Sequence, residues 1–287
     1  MSRESASFER AGRDVVIRIR RRKPAEEWRL GRVLSWSASS LVGDPLLILA
    51  PLFGLVVLLL WVFALGAPAR ADVMMPLLSL PPVDAFLDVG VIELTERTAA
   101  EIWILRTLAL VLRTAVFGVM VVLATQRARG ELPSLGNALG TLRGRFRTFA
   151  FLELVSFALF GVSLTIGADL ASVRDDGAIG TALLFGVLIL AGTFVAAADG
   201  APAGAAFRRG NRWLRRRPLG QIVLVLIYGF VTNGLYRLAA AGEAVPRAFP
   251  LTLYAFVAAL VTMWMLLAIA RRSVLLYGRE EAPTGPA

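Results

Sequence analysis

The chain has 287 residues, 57% of them apolar, with a mean hydropathy of +0.68 and a net charge of +10 from 31 basic against 21 acidic residues. That balance excludes an ordinary soluble domain and indicates a polytopic, all-α integral membrane protein. Cysteine and histidine are both absent, so disulfides, thiolate chemistry, the commonest metal ligand and the commonest general base are excluded.

Residues 1–27 are charged, with Arg20, Arg21, Arg22 and Lys23 in one run, and are expected to form a disordered basic tail. A membrane domain is expected over 28–275, followed by a short tail at 276–287. At its start, Leu30, Val33, Leu34 and Leu41 recur at helical spacing and predict an amphipathic helix, with Trp28 and Trp36 as interface anchors. Residues 45–66 form the first of six apolar segments. Each is long enough to cross about 30 Å of hydrocarbon as a helix rising about 1.5 Å per residue. The end of this first run superficially resembles a signal-peptidase site, but a long hydrophilic stretch precedes it and the run exceeds a signal core in length, so it reads as a retained span.

Residues 67–100 carry Asp72, Asp84, Asp88, Glu93 and Glu96 among Pro76, Pro81 and Pro82. Their apolar pieces, 74–80 and 85–94, are too short to cross and are expected on the outer surface as a short helix or packed loop. The remaining spans are predicted at 102–126, 148–168, 177–198, 218–241 and 248–270. Between them, Leu135, Leu139, Leu142 and Phe146 make one amphipathic stripe, and Ala203, Ala206, Phe207, Gly210 and Leu214 a weaker one, each beside clustered arginines. Six spans thus read as three hairpins, each preceded by an Arg-rich amphipathic helix, an internal repeat.

Charge sets the orientation. Of the 31 basic residues, 24 lie in 1–44, 127–147, 199–217 and 271–287. These are alternate gaps, the positive-inside pattern, which places both termini in the cytoplasm of a bacterial plasma membrane. The same clusters face anionic headgroups, so membrane lipids are the expected partners and nucleic acid is not. Whether a protein partner or a second copy also binds is left open.

The unit carried by Leu30 to Asp44 entering Pro45, Leu135 to Arg147 entering Thr148, and Ala203 to Arg217 entering Pro218 resembles a group of bacterial six-helix membrane domains. These include the membrane region attached to some glycerophosphodiester phosphodiesterases and related families of unknown function. The resemblance implies a fold. The phosphodiesterase chemistry does not transfer, because that catalytic domain relies on histidines.

Ionisable residues within spans are costly and mark candidate sites. Arg106 and Arg113 share one face of the second span. Glu153 enters the third span, Asp169 leaves it, and Arg237 approaches the outer end of the fifth. By depth Asp169 matches Arg106, and Arg113 has Glu153 within reach. Three readings stand: a structural ion pair, an anion-binding cavity lined by Arg106 and Arg113, or a proton relay. Glycine-rich phosphate loops and nucleophile elbows are absent. No enzymatic activity and no cofactor are expected. The leading function is a lipid-interacting scaffold or accessory protein of the envelope, and the alternative is a small transporter or channel for an anionic solute or lipid. A cavity reaching Arg113 would favour transport; a closed bundle with Arg113 engaged would favour the scaffold.

Overall fold

The computed structural model describes residues 29–64, 74, 77–80, 99–171, 176–216, 218–242 and 248–277, which hold eight helices and, among the described residues, no strand. They are α1 (Leu30–Gly43), α2 (Pro45–Ala64), α3 (Ala99–Ala128), α4 (Leu135–Ala171), α5 (Asp176–Ala198), α6 (Ala203–Arg216), α7 (Pro218–Gly242) and α8 (Ala248–Tyr277). Both predicted tails lie outside the described residues, apart from the last two positions of α8.

Three stretches are long and apolar enough to cross a membrane: Thr107–Ala128, Pro218–Ala239 and Leu251–Leu275. A fourth appears if Leu30–Gly43 and Pro45–Trp61, bent by 81°, count as one broken span. The segments predicted at 148–168 and 177–198 are helical within α4 and α5, but the side chains of 160–185 lie outside the description. Six spans paired as three hairpins are therefore a finer statement than the fold itself makes.

Proline decides where an amphipathic helix parts from the helix after it. Proline disfavours the helical conformation in the residue before it, yet suits the first helical position. Asp44 accordingly sits in an extended conformation between α1 and α2, and its Oδ1 accepts the Leu46 N–H at 3.1 Å. Likewise α6 stops at Arg216 and α7 starts at Pro218. The junction Arg147-Thr148 has no proline, and α4 runs through it unbroken for 37 residues. The predicted separate helix at 135–147 is thus the first part of α4.

The hydrophobic stripes are borne out unequally. On α1, Val33 is buried and Leu30, Leu34 and Leu41 pack against the core. On α6, Ala206 and Gly210 are buried. On α4 the buried face is Ala138, Leu142 and Phe149, while Leu135 and Leu139 are about half exposed. α8 is the central helix, packed against α1, α2, α3, α5 and α7. Its run Met265–Ala270 is buried on every side, as a core helix should be.

At the arginine-rich end, α3 and α5 finish alike. Gly130 and Gly200 adopt φ of +85° and +107°. Glu131 N–H reaches back to the Gln126 carbonyl and Ala201 N–H to the Ala196 carbonyl, which closes orphan carbonyls as in a Schellman turn. Arginines complete the caps. Arg145 Nη1 donates to the Ala197 and Ala198 carbonyls at 2.9 Å each. Arg271 Nη1 donates to the Ala128 carbonyl at 3.1 Å and stacks over the Trp36 ring.

Outward-facing apolar rows run along α2 (Leu49, Phe53, Val56, Leu60, Phe63) and α7 (Leu219, Val223, Leu226, Phe230). Such continuous exposed stripes suit hydrocarbon and not water.

Candidate functional site

The site begins with Arg113, the seventh of 22 residues in the apolar stretch Thr107–Ala128 of α3. It is about 10 Å in from that end at 1.5 Å per residue. Its side chain is wholly buried. A guanidinium presents five donors in a fixed plane and stays charged, so burial requires acceptors. Two come from backbone: Nη1 donates to the Leu77 carbonyl at 3.0 Å and Nη2 to the Ser79 carbonyl at 2.7 Å. The guanidinium also lies 4.7 Å from the centroid of the Phe117 ring, one turn along α3. Phe117 in turn meets Phe194 of α5 edge-on at 5.3 Å, and Phe194 meets Phe149 of α4 at 6.1 Å.

The four described residues 77–80 are buried, which corrects the expectation that piece 74–80 lies on the surface. Their backbone is satisfied from both sides. Leu80 N–H donates to Tyr228 Oη at 2.9 Å. Tyr228 Oη stands 3.2 Å from Thr262 Oγ1, and Thr262 Oγ1 donates to the Ala258 carbonyl at 3.0 Å. Since Thr262 spends its proton on Ala258, the Tyr228 hydroxyl donates to Thr262, and one hydrogen-bond chain runs from Leu80 to α8. Tyr228 is the eleventh of 22 residues in its apolar stretch and Thr262 the twelfth of 25. The loop therefore reaches the middle of the bundle, where irregular backbone survives only if protein satisfies it. Gly54 of α2 makes room: an added Cβ there would collide with Val116 and touch Leu78 at 3.7 Å.

The other candidates are placed as follows. Glu153 is buried on α4. It sits one turn past Phe149, which a Cβ added at Gly118 of the antiparallel α3 would meet at 3.4 Å, and so lies at roughly the level of Thr114. Arg237 is exposed on α7 and is not part of this cluster. The side chains of Arg106 and Asp169 lie outside the described residues, so their matching in depth stays an expectation. The structure adds Tyr228 and Thr262. Tyr228 had a sequence signal, being the one tyrosine of four that sits mid-span, away from the interface belts. The carbonyl acceptors had none, because backbone carries no residue identity.

A groove of about 400 Å³ opens at the arginine-rich end between α3 and α4, lined by Val122, Thr125, Gln126, Arg129, Asn137 and Thr141 among others. Arg129 pairs with Asp199 and lies 3.8 Å from Glu131, and Gln126 Oε1 accepts the Ser134 N–H at 3.0 Å. Its deepest lining residue on α3, Val122, is nine positions from Arg113, about 14 Å along the axis. Compared with family models, curated proteins and solved structures, the chain has no match.

Proposed function

We propose that this chain is a non-enzymatic, lipid-interacting scaffold or accessory protein of a bacterial plasma membrane. In this reading it spans the bilayer as three hairpins, with both termini and the arginine-rich end in the cytoplasm and the gap 67–100 opening on the outer side, its residues 77–80 tucked into the bundle. Its resemblance to the six-helix domains found beside phosphodiesterase domains supports the architecture and not the chemistry. The observation that carries the reading is the employment of Arg113. The arginine nearest the middle of the bundle gives two donors to the chain's own loop and faces the Phe117 ring, which suits a closed bundle that presents its surface to lipid.

The rival, an anion transporter or channel, predicts that Arg113 meets a solute. The test is flux in proteoliposomes. Wild type should pass chloride, phosphate and short-chain phospholipid no faster than protein-free vesicles, and should retain anionic lipid through purification. Saturable flux that Arg113→Gln abolishes would establish the rival.

A further inference from the structure

The groove at the arginine-rich end holds polar groups that the fold does not use. Gln126 is 9% exposed, and its Oε1 accepts the Ser134 N–H at 3.0 Å. That bond fixes the amide, so the two Nε2 hydrogens point away from the backbone it holds. Among the described residues Nε2 has no partner. Nor is it sealed from solvent, so it opens onto the groove that Gln126 lines. An amide donor on so buried a side chain calls for an acceptor. On the α4 wall Asn137 and Thr141 lie one turn apart, and neither side chain has a hydrogen-bond partner among the described residues. Gly136 and Gly140 keep this wall open, and a Cβ at Gly140 would have nothing within 4 Å. Arg129, the cation of the lining, lies 3.8 Å from Glu131 and pairs with Asp199. Two carboxylates already match it, so a bare anion gains little here. The unused groups are uncharged donors and acceptors.

We infer that this groove binds the vicinal-diol headgroup, glycerol or sugar, of a membrane lipid. The inference rests on the lipid-interacting reading above and names the group recognised. Adjacent hydroxyls each donate and accept. The Gln126 amide supplies donors, the Glu131 carboxylate acceptors, and Asn137 and Thr141 both. The volume of about 400 Å³ falls in the usual range for small-ligand sites, about 300–1,000 Å³. A soluble polyol would satisfy the same groups. The lipid is favoured by position. Thr125 and Gln126 belong to the last turn of the apolar stretch Thr107–Ala128, where hydrocarbon gives way to headgroups. One turn deeper the lining becomes apolar at Val122.

The test uses the full chain in a polyoxyethylene detergent, whose headgroup carries no diol. Thermal unfolding is followed against added phosphatidylglycerol, a neutral glucosyl diacylglycerol, phosphatidic acid or free glycerol, and native mass spectrometry counts retained lipid. Wild type should be stabilised saturably by both diol lipids, roughly tenfold more tightly than by phosphatidic acid, which lacks the hydroxyls. Gly140→Phe should fill the groove and abolish saturable binding of both. Thr141→Val should weaken it roughly threefold by removing one hydrogen bond. The fold uses neither the space at Gly140 nor the Thr141 hydroxyl, so both variants should unfold, lipid-free, no earlier than wild type. They keep the test open even if Gln126→Leu, which also strands the Ser134 N–H, fails to fold. The control Arg208→Gln with Arg209→Gln, exposed on α6, should change binding less than twofold. Phosphatidic acid bound as tightly as phosphatidylglycerol would overturn the diol assignment and leave the lipid-interacting reading standing, whereas no saturable lipid at all would overturn both. Equal protection by free glycerol at the same concentration would overturn the lipid source. Unchanged binding in Gly140→Phe and Thr141→Val would overturn the groove as the site.

Discussion

A guanidinium inside an apolar helix is satisfied by water, by carboxylates or by backbone carbonyls, and each choice leaves a different fingerprint in a variant series. The carbonyls of Leu77 and Ser79 accept from Arg113, so Arg113→Leu removes two charge-assisted bonds and strands two buried acceptors. The expected loss is about 2–5 kcal/mol in an unfolding titration. Tyr228→Phe removes the acceptor of Leu80 N–H and the link to Thr262, for about 1–2 kcal/mol. Both residues hold the same four-residue segment, so the double variant should fall short of the sum of the singles. Full additivity would mean that the two groups act on unrelated parts of the molecule. At this scale the sequence was half legible. Arg113 stood out by cost alone, since burying it in hydrocarbon is unfavourable by about 2.5–3.5 kcal/mol. The two carbonyl acceptors were not legible, because only side chains can be read from a sequence.

Elements were legible where a residue type dictates backbone geometry. Pro45 and Pro218 begin helices and separate them from α1 and α6, and the missing proline at Thr148 leaves α4 continuous. Stripes were less reliable, because spacing identifies a face but not its partner. Leu135 and Leu139 point away from the core, while the smaller Ala138 faces it. The small-xxx-small pair Gly192 and Ala196 marks tight packing, and α6 supplies the partner. A Cβ at Gly210 would sit 2.5 Å from the Thr193 nitrogen and 2.7 Å from the Gly192 carbonyl carbon. Backbone cannot yield as a flexible side chain does, so Gly210→Leu should force α6 from α5 and destabilise by about 1–3 kcal/mol or more. Gly140 has nothing within 4 Å of the same construction, and Gly140→Ala should instead stabilise by about 0.5–1 kcal/mol. Equal effects at the two glycines, measured by thermal unfolding in detergent, would mean that the close approach at Gly210 is absent.

Over the whole molecule, the apolar runs located the helices, which occupy all six predicted regions, and three of them, or four with the bent pair, are long and apolar enough to cross a membrane. What stayed hidden was the placement of residues 77–80. That stretch is too short and too mixed to read as a span, and it is buried because Arg113 and Tyr228 satisfy its backbone from two helices distant in sequence. Orientation is testable because the chain has no cysteine. A cysteine at Asn137 should react with an impermeant maleimide only from the cytoplasmic side, and one at Ala241 only from the outside; both positions are exposed. The opposite labelling would invert the proposed topology. The central claim is that an interior arginine clamps the chain's own loop into a closed bundle. It is tested most directly by the maleimide labelling rate of a cysteine at Ser79, a residue only 8% exposed whose carbonyl, unaltered by the substitution, accepts from Arg113. The account predicts slow labelling in the otherwise native chain, at least about tenfold faster labelling with Arg113→Gln, and an intermediate rate with Tyr228→Phe. Rapid labelling of the otherwise native chain, unchanged by either substitution, would contradict it.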